Sequence, residues 1–232
     1  MQEVQSPHPP GVIIVTSGDL ARYVDFAVSL NQMRVPTGTS LAWSCGADIC
    51  ANRNMGIEKL LADPKYQWGW LIDDDHSWDG DLLLRLLDRR VDVVAPLCTT
   101  RYPPFRPVSA KRGPDGGWNC NCFRTWQEVQ SSGLQESMVI GGAGPLIQRA
   151  VFEKIPAPWY HPGALVPGRL GEDTYFSLQI FNAGVPMWID SDNKVGHMTP
   201  SCLWPVPGYG IQVGFDLSRA RLTVPIGMED PR

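Results

Sequence analysis

Residues 68–79, Trp-Gly-Trp-Leu-Ile-Asp-Asp-Asp-His-Ser-Trp-Asp, constrain this chain more than any other stretch. Trp68 to Ile72 form a short, almost wholly apolar run, the pattern of a parallel-sheet strand buried on both faces. It leads directly into Asp73, Asp74 and Asp75. A helix is expected next, with Asp79 as N-cap and Leu82, Leu83, Leu86 and Leu87 as its apolar stripe through Arg90. Carboxylates at the carboxyl end of a parallel strand lie where open α/β sheets bind ligands. Three adjacent acids repel one another unless a cation or hydrogen-bond donors compensate them. Hard divalent cations such as Mg²⁺ and Mn²⁺ take oxygen ligands and often bridge carboxylates to substrate phosphates. The plain alternative is a solvated acidic turn that only caps a helix.

The flanking sequence repeats the alternation. Gly11–Gly18 is a β-branched run ending in small polar residues, so Thr16 and Ser17 are expected to face a ligand. Asp19–Arg34 is expected as a helix with Leu20, Tyr23, Val24, Ala27 and Leu30 inward, stopped by Pro36. Thr39–Ser44 reads as a strand, Ala47–Ala62 as a helix ended by Asp63-Pro64, and Val91–Leu97 as a further strand. Arg53, in the first turns of the second helix, could meet a phosphate bidentately. This β-α-β-α-β-α-β order predicts a right-handed, mostly parallel α/β layer. Residues 1–10, with three prolines, read as a loose lead-in.

The pattern changes at residues 99–128, a Pro-, Gly- and ring-rich insert. Between Arg101 and Arg124, five basic residues, Arg101, Arg106, Lys111, Arg112 and Arg124, stand against one acid, Asp115. Tyr102, Phe105, Trp118 and Phe123 are interleaved with them. Cations with stacking rings suit an unstacked nucleotide, and equally a sugar acceptor or a hairpin lying over the core. Further on, Gly141, Gly142 and Gly144 permit close backbone approach to a ligand or a tight turn. They match neither the Gly-x-Gly-x-x-Gly fingerprint nor a Walker loop. Gly171–Gly184 reads as a helix headed by Glu172 and Asp173, which would complement its dipole. Val185–Asp190 reads as a last strand, with Val195-Gly-His197 just beyond and a Pro- and Gly-rich tail over 201–232.

Taken together, the acidic strand end, the Gly-Gly-Ala-Gly segment, the Gly-Glu-Asp helix head and the late Val-Gly-His resemble the metal-dependent, nucleotide-sugar glycosyltransferases of the A-type fold. The resemblance covers roughly residues 11–200 and is nearest to small phage-like members. It implies a single α/β, Rossmann-like domain with flanking helices. It also implies a UDP-sugar donor and Mn²⁺ or Mg²⁺ held by Asp73, Asp75 and His197. Thr16, Ser17, Arg53, Asp73, Asp74 and Gly142 would line the nucleotide-sugar site. Asp173 would be the catalytic base, with Glu172 beside it. His76 has no counterpart in the family, and a packing or capping role is expected for it. The favoured acceptor is 5-hydroxymethylcytosine in phage DNA, contacted by Arg101, Tyr102, Arg106, Lys111, Arg112 and Trp118. A polysaccharide or lipopolysaccharide precursor, or a protein side chain, is the alternative acceptor.

Composition limits the rest. At 232 residues and 43% hydrophobic, the chain can bury a real core, which excludes global disorder. A net charge of −4 argues against general nucleic-acid coating. No apolar run reaches the roughly 18 residues of a membrane span, and no signal-peptide pattern is present, so a soluble, cytoplasmic protein is expected, in the host cytoplasm if phage-encoded. Six cysteines are too sparse for a disulfide framework, and Cys120-Asn-Cys122 lacks the partners of a zinc site, so reduced thiols are expected. A sugar nucleotidyltransferase would show a basic, Gly-rich loop after the first strand, which Thr16-Ser-Gly-Asp19 is not. A binding module would not need Asp73, Asp75, Asp173 and His197 together.

Overall fold

The computed structural model describes residues 1–17, 23–46, 48–101, 105–161, 171–198, 202–206, 210–214 and 224–226. The proposed lead-in is tied down at its start: β1 (Gln2–Val4) pairs in parallel with β3 (Arg34–Pro36). The Trp68 indole donates to the Pro9 carbonyl at 2.8 Å, and His8 meets Asp88 at 2.8 Å. The β-branched run forms β2 (Val12–Ser17), buried along its whole length. Helix α1 is Val24–Gln32, shorter than expected and differently rotated: Phe26, Ser29 and Leu30 are buried while Val24 is 77% exposed. Ala27 is exposed as well. The serine sits inside because its hydroxyl accepts the Trp78 backbone N–H, at 3.0 Å. A stripe scored on hydrophobicity alone therefore misplaces Val24 and Ala27, while Leu30 is buried as expected. Leu20 and the start of the expected helix lie outside the described residues.

Next come β4 (Ser40–Cys45) and α2 (Ile49–Ala62), the latter started by Asp48, whose carboxylate accepts the backbone N–H groups of Cys50 and Ala51. The apolar run is β5 (Trp68–Asp73), followed after the Asp74-Asp75 turn by β6 (His76–Ser77). Asp79 does not cap α3 (Leu82–Asp88) directly; it closes the turn before it, accepting from the Asp81 N–H. The four expected leucines of α3 are all buried. Then follow β7 (Val93–Leu97), β8 (Leu134–Glu136), β9 (Ala143–Gln148), α4 (Arg149–Lys154), α5 (Glu172–Asn182), β10 (Trp188–Lys194) and β11 (Gly196–Met198).

Seven strands form the main sheet in the order β4-β2-β5-β9-β7-β10-β8. The expected mostly parallel sheet is present, since β4, β2, β5, β7 and β10 all run in one direction. β9 runs antiparallel between β5 and β7, and β8 is antiparallel to β10, so the sheet is mixed. β9 is hidden from sequence reasoning because Gly144 and Pro145 sit inside it. A proline has no N–H for the ladder, and the β5–β9 register shifts between Trp70 and Ile72 to accommodate it. Apolar clusters cover both faces of this sheet, one around Ile14, Leu71, Ile147 and Phe176, the other around Ile13, Trp70, Ile72 and Leu83.

A second sheet has the order β14-β13-β12-β11-β6, with β12 (Cys202–Val206), β13 (Gly210–Gly214) and β14 (Val224–Ile226). The residues expected as a tail thus contribute strands. The architecture is a mixed α/β single domain, and β5 and β6 join its two sheets at the acidic run. No helix among the described residues is long and apolar enough to cross a membrane.

Helix α2 lies tightly on β2: a Cβ at Gly56 would come within 2.2 Å of Ile14 Cγ2, a branched and rotamer-locked side chain. Gly56→Ala is expected to lower stability by about 1–3 kcal/mol despite the better helix propensity of alanine. Urea denaturation measures it, and an unchanged midpoint would contradict the packing.

Candidate active site at the end of strand β5

Two charged clusters diverge from the end of β5. The first is built on Arg53, whose side chain is 1% exposed. Its guanidinium donates to both Asp73 oxygens at 3.0 and 2.8 Å, to Glu172 at 3.0 Å and to Asp173 at 2.5 Å. The Tyr160 ring lies under it, 5.0 Å from centroid to guanidinium carbon. One cation facing three acids leaves an excess of negative charge. Loss of water around Asp173, reinforced by Glu172 and Asp73 and opposed by Arg53, pushes its carboxyl up to about 7. Burial likewise pushes the Tyr160 phenol well up. Asp173 also accepts the Gly142 backbone N–H at 3.1 Å. Glu172 and Asp173 occupy the first turn of α5, so its dipole favours their charge as expected from sequence.

Two expectations change in this cluster. Arg53 is not an exposed phosphate hook; it is the internal counter-ion of three carboxylates. Gly142 is required by that internal contact: a Cβ there would stand 2.2 Å from Asp73 Oδ2 and 2.4 Å from Arg53 Nη2. Close backbone approach was the right reason for glycine, but the approaching group is the protein's own ion pair.

The second cluster holds Asp75, His76, Cys98 and His197. The small sheet creates it, because His76 on β6 is the direct cross-strand partner of His197 on β11. Their rings stack with centroids 4.5 Å apart. Asp75 Oδ1 lies 2.8 Å from His76 Nδ1, and Oδ2 lies 3.4 Å from His197 Nε2. Arg101 pairs with the same Oδ2. Burial would raise the Asp75 carboxyl, but hydrogen bonds from His197 and His76 hold it far below the usual carboxylate range. Burial disfavours the His197 imidazolium, yet contact with Asp75 pushes it up to about 9. Among the described residues, His76, Cys98 and His197 bring one donor atom each within 4.8 Å of one another.

The remaining expected residues sort plainly. Asp73 is committed to Arg53, whereas Asp75 and His197 lie side by side in the second cluster. Asp74, in the turn, donates its backbone N–H to the Thr16 carbonyl at 3.1 Å. Thr16 is buried with its hydroxyl lacking a hydrogen-bond partner among the described residues, beside Asp73 in the β2–β5 register. Ser17 accepts the Trp43 indole N–H at 2.7 Å, so its hydroxyl is already engaged. In the insert, Lys111 pairs with Glu128, and Arg112 forks onto Glu136 at 3.1 and 2.5 Å. Trp118 donates to the Met138 carbonyl at 2.7 Å and packs with Ala110, Met138 and Val139. These three therefore serve the hairpin-over-core alternative, and the acids that neutralise them lie just past the basic window. Arg106 is exposed. Tyr102 lies outside the described residues.

Sequence reasoning missed His76 and Cys98 as site residues. Position offered a signal for both: His76 directly follows the acidic run, and Cys98 follows β7 at its carboxyl end, on the ligand-binding side of such sheets.

With this geometry in hand, comparison with known proteins is informative for the fold. No protein-family model matches the sequence, and no curated protein matches it. Among solved structures, A197 from STIV superposes with a TM-score of 0.56 at 16% identity, covering 91% of this chain and 97% of that one. The structure of GalNAc-T7 with UDP, GalNAc and Mn²⁺ superposes with a TM-score of 0.51 at 12% identity, covering 88% of this chain and 46% of that one. The fold is that of the A-type glycosyltransferases.

Removing the Arg53 charge leaves buried carboxylates without a counter-ion. Arg53→Leu is expected to cost about 3–5 kcal/mol in urea denaturation. Adding Asp173→Asn to that variant should recover part of the loss. Strict additivity of the two changes would show that they do not share one cluster.

Proposed function

We propose that the protein is a glycosyltransferase that moves a sugar from a nucleotide diphosphate donor, a UDP-sugar, to an acceptor hydroxyl. The observation that carries this reading is the pairing, at one strand end, of a carboxylate poised near neutrality with a cluster suited to a cation. The likeness in fold to a structure holding UDP, GalNAc and Mn²⁺ supports it.

Asp75 and His197 converge, and a divalent cation held between them would take the place of the Arg101 guanidinium on Asp75. A cation held by Asp75 and His197 would neutralise the charge that develops on the departing diphosphate. Asp173 is the proposed base. As the acceptor oxygen bonds to the anomeric carbon and the bond to the phosphate oxygen breaks, the hydroxyl proton passes to Asp173. A carboxyl at about 7 matches that task near neutral pH. Arg53 fixes its orientation, and Glu172 adds the negative charge that keeps its proton affinity high. Thr16, whose hydroxyl is buried beside Asp73, is a proposed contact for the donor. Hydroxymethylated DNA is retained as one acceptor to test, supported by the exposed Arg106, while the pairing of Lys111 and Arg112 counts against it.

The test is UDP release from a panel of UDP-sugars with divalent metal, with and without DNA carrying 5-hydroxymethylcytosine or an oligosaccharide acceptor. Acceptor-dependent release is expected, and no release from any donor would refute the reading. Asp75→Asn should abolish metal-dependent donor binding in calorimetry while leaving the fold intact.

Asp173→Asn should spare donor binding and slow transfer by about 10²–10⁴-fold. In the unmodified protein, kcat/KM should fall as the pH drops below about 7, because the base is then protonated. That acidic limb should be absent from the variant's residual rate.

A further inference from the structure

We propose that the open pocket at the far end of the main sheet, between the lead-in and the end of α3, binds a single neutral sugar unit through Arg90, Asp92 and Gln148. This goes beyond sugar transfer. The pocket lies at the start of β5, about 17 Å along the strand from the carboxylates at its end, and it needs neither donor nor metal.

Three observations converge. The first is the cavity itself. Its volume is about 290 Å³, at the small end of the roughly 300–1,000 Å³ of small-molecule sites, which suits one ring rather than a nucleotide. Trp68, Leu87 and Val91 form an apolar floor, and His8 and Pro9 close one side. That side is fixed in place, because the Trp68 indole donates to the Pro9 carbonyl and His8 is paired with Asp88. The second observation is the polar rim. Arg90, Asp92 and Gln148 line the pocket, and among the described residues no hydrogen bond or ion pair engages their side chains. Gln148 directly precedes α4, yet its side chain does not cap that helix. The backbone beneath is pinned, since the Gln148 N–H donates to the Asp92 carbonyl at 2.9 Å. The third is a conformational cost. Arg90 follows the C-cap of α3 with φ at 53°, the left-handed region where glycine is the usual residue. A long side chain is kept there despite the strain, and that side chain lines the pocket.

The polar set selects the ligand. The guanidinium only donates, the carboxylate only accepts and the amide does both. Sugar hydroxyls donate and accept, so one ring satisfies all three while its C–H face covers the apolar floor. Arg90 and Asp92 cancel in charge: an anion would meet Asp92, and a cation would meet Arg90.

The experiment is saturation-transfer NMR on the full chain with glucose, galactose and N-acetylglucosamine, each without donor or metal. Transfer to the ring protons of at least one sugar is expected, at about millimolar affinity and undiminished by equimolar phosphate. Arg90→Gly should weaken that binding by about tenfold or more, the loss of a hydrogen bond to a charged group. Its urea midpoint should stay equal or rise, because glycine adopts the left-handed backbone without strain. An arginine with a merely structural role would not give this split. Asp92→Ala, at an exposed position, should cause a similar loss of binding and provides the readout should Arg90→Gly not fold. Transfer to no sugar, displacement by phosphate, or a signal that survives both substitutions would overturn the proposal. Because no donor or metal is present, a failed transfer assay and a failed sugar site are separate results.

Discussion

Arg53 carries a fixed positive charge in almost complete isolation from water, a state that costs several kcal/mol unless acids surround it. Two elements supply those acids: Asp73 ends a central strand, and Glu172 and Asp173 begin a helix from a distant part of the sequence. Helix α2 must therefore lie against the sheet and α5 must point its first turn at the end of β5. Gly142 leaves the room for them to meet. Much of the architecture around the site follows from satisfying this one charge.

The same cluster sets the chemistry. Loss of water around Asp173 is the main cause that lifts its carboxyl to about 7, and the charge that one guanidinium leaves unneutralised among three carboxylates adds to it. Two residues past Asp73, Asp75 meets different partners and its carboxyl is held far down. The two clusters thus give their acids opposite characters, Asp173 tuned to exchange protons and Asp75 to remain an anion. The two environments differ because β5 ends in the main sheet while β6 begins the second one, and the Asp74-Asp75 turn crosses between them.

Part of this was legible beforehand. The apolar run before three acids marked a buried strand opening onto a polar site. The order of acidic run, glycine segment, Glu-Asp head and late histidine marked the fold, with β2, β4, α2, β5, α3, β7 and α5 near their expected places. Those signals are local, being periodicity, caps and turn residues. What was not legible depended on partners far along the chain. Arg53 looked like a cation for a ligand phosphate because the acids it meets, Asp73, Glu172 and Asp173, lie 20, 119 and 120 positions along the chain. Lys111 and Arg112 looked free because Glu128 and Glu136 fall outside the window over which their charge was counted. Strand β9 was hidden by the proline and glycine that its bulge absorbs.

By itself, the sequence determined that this chain would bury a β-branched and tryptophan-rich core in an α/β layer and would end one central strand in carboxylates. Those outcomes follow from hydrophobic patterning and the backbone preferences of single segments. Only the tertiary structure decided which charges cancel and which donors meet. It set Arg53 among three acids, and it laid His76 opposite His197 beside Cys98. Strand register and sheet order govern such meetings. They arise when residues more than a hundred positions apart are buried together, and no local pattern records the partner a buried charge will find.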